Sequence, residues 1–251
     1  MFTMSLITRL LTPFKTIQQA ASMSWQLSEK NYPIGHDLTF SVEFTGGLID
    51  QHVDNVQATL VCQLDEVTGS PQPEQINIVN ADIDKNFFIR AQQTLKKFYS
   101  IHLPRYSPMS NKMCAYYLEL KLNTATSMQQ ELVTEVIIAP SEHMTTWFKL
   151  LDQLGFDYQA YWNQPFIEPS AKFSYQQKFR YRKNNFIGGK SLDIIFRFEQ
   201  YSDYLDVFVE AFLANQVQSG KQTSHAFRFT IDKLDTACYC DKLYAQLEQS
   251  K

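Results

Sequence analysis

The amino-acid sequence predicts an all-β protein: two tandem antiparallel β-sandwich domains, a short helix between them, and short helices at the two termini. Three observations lead there. Runs of strand length that alternate apolar and polar residues recur through most of the chain, separated by turn residues. Aromatic residues make up 14% of the 251 positions, with 19 Phe and 13 Tyr, and such rings suit the half-buried pleated face of a strand. No strand–helix–strand rhythm is present, so a parallel α/β sheet is disfavoured.

Taken in order, the chain begins with Phe2, Leu6, Ile7, Leu10, Leu11 and Phe14, spaced for one face of a short helix that Pro13 interrupts. Leu38, Phe40, Val42 and Phe44 then alternate with Thr39, Ser41 and Glu43 until Gly46-Gly47 breaks the run. Further strands are expected at 56–61, 87–89, 95–103, 114–122 and 132–138. Pro140 and Ser141 signal a helix start, with Ser141 as N-cap. Met144, Trp147, Phe148, Leu150, Leu151 and Leu154 follow a helical period, and Gly155 is placed to cap the end. Strands are expected again at 173–182, 192–198, 205–213 and 225–231, with Tyr201-Ser202-Asp203 as a hairpin connection and a last helix over 235–247. Polar loops are read at 68–75 and 216–224. The boundary falls near Pro140, giving an N-terminal domain of residues 1–139 and a second of 140–251, each of ordinary domain size.

Composition narrows the function. Apolar residues at 44% and charged residues at 20% describe a folded globular chain. A net charge of −3 supplies no overall field for nucleic acid, and no nucleic-acid partner is expected. The early apolar run lacks a basic leader and is split by Arg9, which argues against a cleaved signal. No apolar run reaches the length of a membrane span. A cytoplasmic location follows, with Cys62, Cys114, Cys238 and Cys240 read as reduced thiols acting as small buried hydrophobes.

Catalytic and metal chemistry find no footing. Gly46-Gly47 and Gly188-Gly189 read as turns, since neither leads into a phosphate-cradling helix start. The five histidines are scattered, and Cys238-Tyr239-Cys240 lacks a second ligand pair, so no metal and no cofactor are expected. Asp82-Ile83-Asp84-Lys85-Asn86 imitates the opening of a calcium loop. Phe87 stands where that loop needs Gly, and Gln93 where it needs a bidentate Glu, so the segment reads as a solvated loop. One charge feature remains. Alternation on a strand places Lys178, Arg180 and Arg182 on one face, beside Lys183, with Phe179 and Tyr181 on the other. This stripe is either a partner- or anion-binding surface, or a solvated face that guards a strand against edge pairing.

Several segments resemble the arrestin-like sporulation-control (SpoOM-type) family. They are Tyr32-Pro33-Ile34-Gly35-His36-Asp37-Leu38, the paired glycines 46 and 47, and Phe98-Tyr99-Ser100-Ile101-His102-Leu103-Pro104 before the Pro108 loop. The helix from Met144 to Leu154 followed by Gly155-Phe156 is similar to that family's interdomain helix. The resemblance implies an arrestin-like pair of sandwiches without catalytic residues. The expected function is therefore a non-enzymatic regulatory or scaffolding protein, monomer or homodimer, that binds a protein partner. The alternative is a peripheral membrane-associated regulator using the N-terminal helix and the basic strand.

Overall fold

The computed structural model describes residues 21–65, 73–124, 130–165, 175–213 and 224–249. The N-terminal apolar segment expected to be helical, most of the loop at 68–75 and nearly all of that at 216–224 lie outside the described residues. Strands β1 (Ser22–Leu27), β3 (Asp37–Thr45) and β6 (Thr94–His102) form a three-stranded antiparallel sheet in the order β1-β3-β6. A five-stranded sheet runs β2-β8-β7-β4-β5, from β2 (Asn31–Pro33), β4 (Gln51–Leu64), β5 (Glu74–Ile89), β7 (Cys114–Thr124) and β8 (Gln130–Ala139). Only the short β2–β8 pairing in it is parallel.

Alternation decides which faces meet. Leu38, Phe40, Val42 and Phe44 of β3 are buried, as are Tyr116, Leu118, Leu120 and Leu122 of β7. An edge-on pair, Phe44 on Phe87 with centroids 5.3 Å apart, joins the two sheets. Gly46 is needed where β3 ends: a Cβ there would lie 2.0 Å from the Arg90 carbonyl oxygen. The close approach is held by bonds from Gly46 N to Gln93 O and from Gln92 N to Gly47 O.

The second half is built around helix α1 (Glu142–Gln153). Ser141 caps it by accepting a bond from Met144 N. At the other end Gly155, at φ +73°, donates to Asp152 O, and Phe156 N donates to Leu151 O. This paired closure satisfies two carbonyls that the last turn leaves open. Strands β9 (Asp157–Pro165), β10 (Tyr175–Ile187), β11 (Lys190–Gln200), β12 (Leu205–Leu213) and β13 (His225–Ile231) form an antiparallel sheet in simple chain sequence. A 3-10 turn (Thr236–Cys238) and helix α2 (Cys240–Glu248) follow.

The expectation of a mostly β chain with a few short helices holds. In one respect the second half differs from the first. Among its described residues there is one sheet, and α1 supplies most of the aromatic cover, with Leu243 and Leu247 of α2 buried beside it. Trp147 sits edge-on to Phe196, and Phe148 packs on Phe179, Tyr181 and Phe198. A helix stripe with Trp and Phe fills the space a second sheet would occupy.

Two smaller expectations are corrected. Asp82–Asn86 is not a loop; it lies inside β5, a strand the sequence shows only at its last residues. Asp82 pairs with Lys85 along the strand and accepts from Asn55 of β4, and this cross-strand bond with the β4–β5 ladder outweighs the poor strand propensity of Asp and Asn. Of the cysteines, Cys62 and Cys114 are buried, but Cys238 is exposed and Cys240 half-buried, because one ends the surface 3-10 turn and the other begins α2. No helix among the described residues is long and apolar enough to cross a membrane.

Candidate functional site

The basic strand is β10, and its alternation is as expected: Phe179 and Tyr181 turn inward beneath Phe148, and Lys178, Arg180 and Arg182 turn to the opposite face, while Lys183 lies on the helix side. β10 is not an edge strand, since β9 and β11 flank it, so its charge has no edge to guard. The structure uses these cations internally. Arg182 holds the Asp193 carboxylate through Nε at 2.6 Å and Nη2 at 2.8 Å, and Arg180 donates to the same carboxylate. Asp193 is fully buried. Burial alone would raise its pKa, but the bonds and charges of the two arginines outweigh that and hold it below the usual carboxylate range. Lys183 donates to Leu154 O at 2.6 Å, where the carbonyl end of α1 attracts a cation. Lys178 alone lines an outer groove of about 380 Å³, with Arg197, Phe208 and Arg228.

Asp193 could not be found by counting back from the Gly188-Gly189 turn. Both glycines have positive φ, and Ile187 pairs Lys190 across them. Continued evenly, that register would set Arg182 opposite Ile195. An irregularity between Lys183 and Ile187, with Asn185 at φ +53°, brings Asp193 there instead.

A second site lies where the two halves meet. The segment 104–113 between β6 and β7 is tied to both. Tyr116 Oη donates to Pro108 O, and Ile138 N to Ser110 Oγ, on the side of the five-stranded sheet. On the other side the Gln177 amide brackets Met109, accepting from its N–H at 3.1 Å and donating to its carbonyl at 3.2 Å. Lys112 N donates to Tyr161 Oη, and Asn163 donates to Met113 O. Ser141 Oγ donates to Gln200, and Tyr175 Oη donates to Glu74. The bonds made by Gln177, Tyr161, Asn163 and Tyr175 cross between the halves and hold them in one arrangement.

Between them opens a cleft of about 870 Å³. One wall is Arg105, Tyr106 and Ser107; the other is Arg197, Glu199 and the hairpin turn, whose Tyr201 and Tyr204 rings stack at 4.4 Å. Met109 and Met144, both buried, add apolar lining. Arg197 pairs with Glu199 at 2.5 Å, and His102 with Asp37 at 2.9 Å. Arg105 has no carboxylate partner among the described residues. Ser107 is only 4% exposed, and its Oγ has no hydrogen-bond partner among the described residues. The perturbed carboxylates Asp84 and Asp193 lie outside the cleft, each held by structural cations. The cleft escaped the sequence reading because its walls come from segments about a hundred residues apart.

A sequence profile of the SpoOM protein family matches residues 18–211. Among solved structures, the fold is similar to that of Spo0M, the sporulation control protein of Bacillus subtilis. The TM-score is 0.73 at 15% identity, covering 92% of this chain and 99% of that one. A family 123 glycoside hydrolase from Clostridium perfringens reaches a TM-score of 0.29 at 10% identity, over 48% of this chain and 27% of its own, and carries no argument. No curated protein matches the sequence. The family profile spans well over half of the chain and agrees with the segments that resemble the family, and the chain belongs to the SpoOM protein family.

Proposed function

We propose that this protein is a non-enzymatic regulator or scaffold that acts by binding another protein, with residues 1–139 and 140–251 as its two domains. The observation that carries this reading is the cleft between the halves. It is preformed by five cross-half hydrogen bonds, the two by which Gln177 brackets Met109 among them, and rimmed by tyrosine and arginine, residue types enriched at binding hot spots. The membrane alternative gains less support, since Arg180, Arg182 and Lys183 are engaged by Asp193 and by the α1 terminus.

The test is affinity capture from a lysate of the source cells, followed by reconstitution with the purified candidate. The expected result is a saturable, stoichiometric complex with one protein. Failure of every captured protein to bind in purified form defeats the proposal. Co-sedimentation with anionic vesicles, lost at high salt and on neutralising Arg180, Arg182 and Lys183, would replace it with the membrane reading.

A further inference from the structure

We infer that the cleft takes an extended peptide segment of the partner and reads an acidic side chain on it through Arg105. This inference rests on the partner-binding reading above. Three features of the cleft select such a ligand. Arg105 brings a charge that no carboxylate of the described residues answers, and a guanidinium fork fits a carboxylate at two points. Ser107 brings a hydroxyl that is unpaired although nearly buried, a group that gains from a polar ligand atom. Tyr106 and Tyr201, 43% and 40% exposed, stand on opposite walls, so a chain passing between them meets a ring on each side.

Other occupants fit less well. Glu199 lies in the wall and the net charge is −3, which opposes a polyphosphate chain. A volume of about 870 Å³ is near the top of the range for small-molecule sites, about 300–1,000 Å³, and suits several residues of extended chain. Because Gln177 and Tyr161 already fix the 104–113 segment, little ordering accompanies binding.

The experiment pans a random linear peptide library, displayed on phage, against the full chain, and measures enriched peptides by fluorescence anisotropy. Enriched peptides should share an acidic position. Arg105→Glu should weaken them by on the order of tenfold or more, the scale of one lost charge-assisted bond. Replacing the shared acidic residue by Lys should restore binding to Arg105→Glu and abolish it for the parent. Ser107→Ala should also weaken binding while leaving the thermal midpoint no lower than the parent's, because its hydroxyl has no partner to lose. Phe98→Ala, on the exposed face of β6, serves as the control and should leave affinity unchanged.

Peptides without an acidic position, or with equal affinity for Arg105→Glu, overturn the inference, as does failure to enrich any. Arg105-dependent binding of single-stranded oligonucleotide or anionic vesicles, with no peptide bound, overturns it too. A reconstituted partner complex indifferent to Arg105→Glu and Tyr201→Ala sinks the cleft assignment but leaves partner binding standing. Loss of partner binding as a function altogether shows instead in the lysate capture.

Discussion

Residues 21–139 and 142–249 bury their cores by different means. In the first, two sheets face each other, and strand residues from Val42, Leu118 and Leu120 to Phe40, Phe44 and Tyr116 are removed from water between them. In the second, one sheet faces a helix, and rings do the filling: Trp147 and Phe148 from α1 against Phe179, Phe196, Phe198 and Phe229 from the sheet. A sheet spreads its contacts over many strands, whereas α1 concentrates them in a few large residues, and α2 adds only Leu243 and Leu247 as fully buried side chains. Polar burial differs as well. The first half keeps its Asp84–Lys97–Tyr99 cluster partly open to solvent, and the second sinks Asp193 fully beneath two arginines.

The sharpest way to break this comparison is Trp147→Ala. Loss of a large buried aromatic costs about 4 kcal/mol, against about 3 kcal/mol for Leu118→Ala in the facing sheets. Urea denaturation followed by circular dichroism and fluorescence should show that order. An equal or reversed order would mean that α1 is no more concentrated a support than any one strand.

Gly46→Ala comes next, at about 2–3 kcal/mol, because the new methyl would overlap the Arg90 carbonyl and the backbone must move. Thermal denaturation measures it, and a midpoint matching the parent's would show that the β3–β4 loop yields freely.

Asp193→Asn should cost about 2 kcal/mol at neutral pH, since two partly exposed arginines lose their shared charge. The folded pKa of Asp193 is depressed, by arginine bonds that overcome the opposing effect of burial. Its stabilisation is therefore fully present above the ordinary Asp pKa of about 3.9 and is lost as pH falls through the lower folded value. Stability curves of parent and variant should converge as the solution is acidified below that range. Parallel curves would place the stabilisation elsewhere.

At Gly155 the φ of +73° with open space around it predicts a cost of about 1 kcal/mol for Ala, from conformation alone. Lys183→Met should remove only the favourable cation at the α1 terminus, about 0.5 kcal/mol. A loss above that of Gly46→Ala would show Lys183 supporting more than a helix end.

What the sequence by itself determined is local. Alternation at 37–45, 205–213 and 225–231 sets strand, face and inward residues, because a period of two is forced by the pleat. Ser141, the 144–154 periodicity and Gly155 set helix α1 and both of its ends, because caps are satisfied by neighbours in the chain. Strand β5 stayed hidden, since Asn77, Asn80, Asp82 and Asn86 disfavour extension and only pairing with β4 overrides them. The direction of the cations on β10 was legible, but not their engagement, which an irregular register and the distant Asp193 decide. The cleft was legible least of all. Arg105 and Tyr201 become neighbours of one space only when Gln177, Tyr161 and Asn163 dock the halves, and no local periodicity encodes a contact between segments that meet only in the folded chain.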